Sequence, residues 1–446
     1  MFLVCVVPGP HEPSLDEINH LLRPIVDDFL VFWEPGVWYS RTHRYPRGRH
    51  VQCAVVPVVC DLPAARQILG YGAFTVNNCF CTGCRQTKAE MDNLDMSTWK
   101  PWYTKEEFVR IAHAWRDGTM KEKKDIFDAY SIRYSELLRL SYWDPTRFLV
   151  LDSMHALFLG LMERHCRTYW GMDIRVESGD ETTKPEKIVR EATPEQLSEV
   201  EVVLKHGTDK DLTKFPQYVL ATVCRLLGLD SQGRHPEILQ RLADFVEPGE
   251  KPPDPIKKQA VLGTEVLEGV HEDIRNVRLP SWIGRCPNDL GAARHGSLSA
   301  DQWRTACTVN LVTSLIRIWG HSSHGSRFRD MLDNFLDLIS ATKAATARVM
   351  TRSKIQDYHA YMHRYLKGVL RLYPTYGIYP SQHLALHLPD MLRDFGPVHA
   401  WRTFATERLN NLLQEIPTSG VPSEFIVIAT ARYLHSGTRR HGKDNV

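Results

Sequence analysis

No stretch of this sequence approaches the roughly 18 consecutive apolar residues that a membrane helix needs, so a membrane-spanning protein is not expected. The apolar opening MFLVCVVPGP has no basic segment before it and breaks at Pro8-Gly9-Pro10, which reads against a secretory signal. Cysteine is sparse, ten in 446 residues, too few for a disulfide framework, and a reducing compartment is expected. Charge of either sign is not in excess: the formal net charge is +2, so any nucleic-acid contact must come from local basic patches. There is no internal repeat. No His-Glu pair of the zinc-protease kind accompanies the histidines, which disfavours a zinc hydrolase. A soluble intracellular protein remains, long enough for two or three domains or for one core with a large insertion.

What is present begins with Phe2 to Val7, which has the pattern of a buried strand. Ser14 and Glu17 have capping-box spacing, and Leu15, Ile18, Leu22, Ile25, Phe29 and Phe32 form one apolar helical stripe interrupted by Pro24. Val37 to Ser40 reads as a short strand and RTHRYPRGRH (41–50) as a basic turn. CAVVPVVC (53–60) is a continuous apolar run, the pattern of a strand buried on both faces, although Pro57 argues for an edge or a bulge. Asp61 stands at its end. Helical periodicity covers Tyr103 to Leu140, and TRFLVLD (146–152) leads into a helix from Ser153 to about Trp170. Residues 171–193 are a polar connection. Thr193-Pro194-Glu195-Gln196 then has the form of a helix start, and helical segments follow to about Arg371, the clearest at 299–320.

Four groups could carry chemistry. Asp61 closes a strand, where a rigid backbone could aim a carboxylate at a metal; a turn or helix cap is the plainer reading. Cys81 and Cys84 form a C-x2-C pair that can grip one tetrahedral ion if a second pair comes from elsewhere, though cysteine is often only a small buried apolar residue. Asp152 and His155 lie three apart at a helix start, where Asp is an ordinary cap and His an ordinary core residue. His383 and His387 lie four apart, on one face of a helix, with Glu407 twenty residues further on in FATERLNNLL; an isolated pair is usually structural and a lone Glu there usually solvated. A softer signal lies at 341–371. Seven basic residues, among them Arg348, Arg352, Lys354, Arg364 and Lys367, face one acid, Asp357, and Tyr358, Tyr361 and Tyr365 interleave at helical spacing. Basic side chains with aromatics suit phosphates and exposed bases; a solvated helix face is the plain alternative.

The stretches VVPGPHEPSLDEINHLLRPIVDD, WEPGVWYS, CDLPA, the C-x2-C, LDSMHALFLG, HLALHLPDMLRDFGPV and TERLNN, in this order, resemble the CACTA-type cut-and-paste DNA transposases, in particular the form abundant in fungal genomes. The resemblance implies an α/β fold: an RNase H-like core, here truncated, interrupted by a large all-α insertion. It implies that Asp61 and Glu407 are the second and third of three catalytic carboxylates, and that Asp152 and His155 are the family's D-x2-H motif. It implies catalytic Mg²⁺ or Mn²⁺. By a weaker likeness to the V(D)J recombinase catalytic subunit, it also implies a structural Zn²⁺ on Cys81, Cys84, His383 and His387. If His155 instead replaced His383 as a ligand, His155→Ala and not His383→Ala would release the ion. Partners would be double-stranded DNA at transposon ends and further copies of the chain, in the nucleus. The family's first Asp would lie upstream of FLVCVVPG, and Asp27 and Asp28, on a helix, cannot replace it. The expectation is therefore a transposase-derived protein inactive alone. The rival is a noncatalytic, zinc-stabilised DNA- or protein-binding remnant.

The resulting layout is 1–100, a partial core with the C-x2-C half-site; 101–170, helical with the D-x2-H motif; 171–193, a polar linker; 194–375, the all-helical insertion; 376–425, the histidine half-site and the Glu407 helix; and 426–446, a tail.

Overall fold

The computed structural model describes residues 13–73, 75–172, 196–197, 199–200, 203, 212, 215–227, 229, 235–246, 261–291 and 298–414. The expected strand at Phe2 to Val7, nearly all of the 171–193 connection, most of the cap at 193–196 and the 426–446 tail lie outside them.

Helix α1 (Leu15–Trp33) starts where Ser14 and Glu17 cap one another, and it passes through Pro24. Strands β1 (Val37–Tyr39) and β2 (Arg49–Val51) pair antiparallel, with Trp38 opposite His50, and make the only sheet among the described residues. Helices α2 (Leu62–Leu69), α3 (Lys105–Asp117) and α4 (Met120–Tyr130) follow. Two segments with wide, π-type turns, α5 (Met154–Glu163) and α6 (His165–Tyr169), come next. Each of α3 and α4 opens with a Thr-x-x-Glu capping box, which satisfies N–H groups that the first turn leaves without partners.

The run at 53–60 is not the doubly buried strand its composition suggests. Cys53, Ala54 and Val56 are exposed, and one parallel bridge, Val58 to Leu149, is all that joins it to the 146–152 run. Pro57 has no N–H to give to a ladder. The described residues are thus mostly helical, which fits an all-α insertion, and the mixed sheet of an RNase H-like core is not among them.

The chain forms two compact units, one of 1–174 with 261–446 and one of 175–260. The all-helical block expected at 194–375 is therefore divided, its second half belonging with the larger unit. The smaller unit holds α7 (Gln217–Leu226) and α8 (His235–Val246) around Val219, Leu220, Ile238 and Leu242. In the larger unit, α9 (Thr264–Asn276) and α10 (Ala300–Thr305) are followed by wide turns to Asn310 and then α11 (Leu311–Trp319). Helices α12 (Arg327–Ala345) and α13 (Arg352–Leu372) run antiparallel, as the pairs Arg364–Asp337 and Arg371–Asp330 show. Phe335 and Tyr365 are buried against His165 of α6, and Tyr358, also buried, donates to the Ala385 carbonyl at 2.8 Å. The last elements are α14 (Pro380–Ala385), α15 (Leu388–Phe395) and α16 (Phe404–Gln414).

Candidate functional site

Asp61 caps α2, its Oδ1 accepting the Ala64 N–H at 2.8 Å. One turn later Arg66 is buried, and its guanidinium donates to the carbonyls of Gly72 and Phe80. Phe80 directly precedes Cys81, so α2 connects the Asp61 carboxylate to the thiol loop. Gly70 ends the helix at φ +78°, where a Cβ would stand 2.5 Å from the Arg133 carbonyl oxygen. Only glycine fits that left-handed, crowded position.

Cys81, Cys84, His383 and His387 come together with their ligand atoms all within 4.8 Å of one another, and all four are buried. Cys84 Sγ lies 3.1 Å from His383 Nε2, a contact across 299 residues of chain. His383 stacks on Trp99 at 4.4 Å between ring centroids and meets Phe80 edge-on at 5.0 Å. Gly83 leaves room for the second imidazole, since a Cβ there would be 2.6 Å from the His387 ring. The histidines do not share one helix, as their spacing suggests. His383 lies in α14 and His387 caps α15, because Pro389 cannot donate to the carbonyl four residues back and its ring crowds that group.

The donor set suits a metal. Tetrahedral bonds of about 2.0–2.3 Å place donors roughly 3.3–3.8 Å apart, a small contraction of the observed cluster. Burial opposes ionisation of Cys81, yet Cys84 and the two imidazoles hold this thiol well below its ordinary range. Cys84 is pushed up, first by Cys81 and then by burial. The pair therefore keeps a proton that a cation would displace. His383 turns its Nε2 towards Cys84 Sγ and so into the cluster, and the buried His387 Nε2 has no hydrogen-bond partner, which fits a nitrogen kept for an ion. Among the described residues no other group of three or more His, Cys, Asp or Glu side chains is close enough to share one.

A second group forms beside it. Asp61 and Asp152 each stand three residues beyond the bridged pair Val58 and Leu149, so two parallel segments end in carboxylates at the same level. Asp152 is almost fully buried, and both of its oxygens are engaged. Oδ2 accepts the His155 N–H at 3.0 Å and lies 2.8 Å from His155 Nδ1; Oδ1 accepts the Thr403 N–H at 2.9 Å. Thr403 in turn accepts the Glu407 N–H through its carbonyl at 2.8 Å, and so the helix bearing Glu407 starts from Asp152. Burial works to raise the Asp152 carboxyl, but the bonds from His155 and Thr403 outweigh it and hold the group below the usual carboxylate range. His155 is raised, chiefly by its bond to Asp152 and further by the charges of Glu407 and Asp61. Burial with Asp61 and Asp152 nearby pushes the Cys60 thiol to about 12.

Asp61, Asp152, His155 and Glu407 thus share one neighbourhood, while the Cys/His cluster excludes His155. The sequence reading did not find Thr403, Trp99 or Arg66; nothing in their own residue types marks them. Gly83 could have been found, since a glycine inside a C-x-x-C leaves space for whatever the thiols face.

The basic stretch is only partly as expected. Arg348, Arg352 and Lys367 are exposed, but Arg364 pairs with Asp337 at 2.8 Å, and Lys354 Nζ donates to the Val349 carbonyl at 2.8 Å. Tyr358 and Tyr365 are core residues with no exposed surface, so they offer bases nothing to stack on. No helix among the described residues is long and apolar enough to cross a membrane. No family model matches the chain, and no curated protein matches it either.

Proposed function

We propose that the chain is a transposase-derived, DNA-directed protein in which a zinc clip holds two candidate catalytic carboxylates, Asp61 and Glu407, in one neighbourhood. The observation that carries this reading is the Cys81, Cys84, His383, His387 cluster. Its cysteine half begins twenty residues after Asp61, and its histidine half ends twenty residues before Glu407. A buried set of two sulfurs and two nitrogens in tetrahedral reach favours Zn²⁺, and four protein ligands leave no open position, so the ion's work is structural. In the family it resembles, three carboxylates hold two Mg²⁺ or Mn²⁺ ions for in-line phosphoryl transfer on DNA. Here Asp61 and Glu407 would offer oxygens to such an ion. Asp152 orients His155 and anchors the α16 start, and its own oxygens are already engaged.

Among the described residues no group of three or more carboxylates is close enough to share one ion, so Asp61 and Glu407 are the two carboxylates that this reading assigns. The second reading is a noncatalytic zinc-stabilised DNA- or protein-binding remnant. Two measurements separate them. Purified protein should carry about one zinc per chain, lost on Cys84→Ser or His387→Ala; stable metal-free wild type overturns the clip. Mn²⁺-dependent nicking of terminal-repeat DNA that disappears with Asp61→Ala or Glu407→Ala would favour the catalytic reading. Its absence, with zinc bound, would favour the remnant.

A further inference from the structure

The β1–β2 hairpin has no part in the metal cluster or in the group formed by Asp61, Asp152, His155 and Glu407, yet its own chemistry is one-sided. Between Val37 and Gln52 there are four arginines and two histidines and no acidic residue. Arg41, Arg44, Arg47 and Arg49 are all exposed, and none forms an ion pair among the described residues. Three aromatic rings are exposed with them: Trp38 at 62%, Tyr39 at 43% and Tyr45 at 44%. Such rings are ordinarily removed from water, and here three are displayed within one short hairpin.

The hairpin is held in shape by its own contacts. The turn is closed by Thr42 and Tyr45 through paired backbone bonds of 3.0 and 3.3 Å, and the Tyr45 carbonyl also accepts the Gly48 N–H at 3.1 Å. Gly48, at φ +89°, lets the Trp38 ring lie over the backbone, since a Cβ would stand 2.7 Å from that ring. Arg49 sits 4.6 Å over the Tyr45 ring. At its base, Gln52 donates to the Trp33 carbonyl at 2.9 Å and Cys53 to that of Phe32 at 3.1 Å, which fixes the hairpin to the end of α1. Between turn and strand lies a cleft of about 540 Å³, walled by Arg44, Tyr45, Arg49 and His50.

We propose that this hairpin binds an unpaired nucleic-acid strand, the arginines taking phosphates and the Trp38 ring taking the face of a base. Uncompensated guanidinium groups select a polyanion, and the exposed rings select one that carries flat apolar faces. A duplex hides those faces in its stack, and an acidic peptide has none. The proposal rests on the hairpin alone, so it can fail while the zinc clip stands, or hold while the clip fails.

The test uses the full chain, with fluorescence anisotropy on a labelled single-stranded 20-mer over a salt series. The duplex of the same sequence and polyglutamate serve as comparison ligands. The triple variant Arg44→Gln, Arg47→Gln, Arg49→Gln should flatten the salt dependence by about 0.7 log unit for each phosphate no longer neutralised. Trp38→Ala should weaken single-strand binding by about 5- to 150-fold, and Trp38→Phe, which keeps a ring, by much less. Unchanged melting curves confirm that each variant is folded. A salt slope indifferent to the three arginines overturns the proposal. So does a weakening with Phe as deep as with Ala, or a duplex or polyglutamate bound as tightly as the single strand.

Discussion

Asp152 leaves no oxygen free for solvent, and its partners make it a hinge pin between two distant parts of the chain. Its charge pair with His155 has a definite pH window. His155 is raised above its ordinary 6.5, so its contribution is complete below 6.5 and is lost as pH rises through the folded value. Asp152 is lowered from 3.8, so its contribution is present above 3.8 and lost as pH falls through the folded value. The pair is therefore fully effective between those two ordinary values and weakens on both sides. Proton NMR should show His155 titrating above 6.5, and Asp152→Asn should bring it back down. Asp152→Ala removes a charged acceptor from the Thr403 N–H and should cost about 1.5–3 kcal/mol in denaturant unfolding. Gly83→Ala is the companion test at the cluster: its Cβ must displace the His387 ring, so metal affinity should fall while the Asp152–His155 pair is untouched.

At the scale of elements, the break between α14 and α15 decides the metal geometry. Pro389→Ala allows one helix to run through residues 380–395. Helicity by circular dichroism should rise slightly, while metal affinity, measured by competition with a chelator, should fall about tenfold as His387 turns out of line. That proline stands plainly in HLALHLPD, so the break was legible; an i, i+4 histidine spacing simply invited a one-helix reading. The capping boxes at Ser14, Thr104, Thr119 and Ser299 are likewise legible, because four residues suffice to specify them. The 53–60 run was not. Apolar composition says that a segment can be buried, but whether it is depends on partners elsewhere in the chain. Tyr358 and Tyr365 carry the same lesson: helical spacing could not say which side of α13 faces α12. The joining of Asp152 to Thr403 was beyond any local pattern, being a contact across 251 residues.

At the scale of the whole molecule, the chain leaves the larger unit and returns to it at one place. The Val261 N–H donates to the Trp170 carbonyl at 2.9 Å, and Leu262 reaches the same oxygen at 3.3 Å. Replacing 175–260 with a short glycine-rich link should therefore leave a folded, metal-binding protein, as elemental analysis and thermal melting would show. In the intact chain, calorimetry should resolve two transitions, since the smaller unit has its own apolar centre. A zinc chelator should lower only the transition that the shortened protein retains.

The separation of 299 positions from Cys84 to His383 also sets a clock. A ribosome adds about 5–20 residues per second, so the thiols wait roughly 15–60 s after emerging before their imidazoles are made. Closing so long a loop is slow in its own right. The newborn chain thus passes through an interval in which a reactive thiol pair has neither ion nor cover. Scarcity of zinc or a burst of oxidant during synthesis would do harm that the finished protein, with all four ligands buried, would resist.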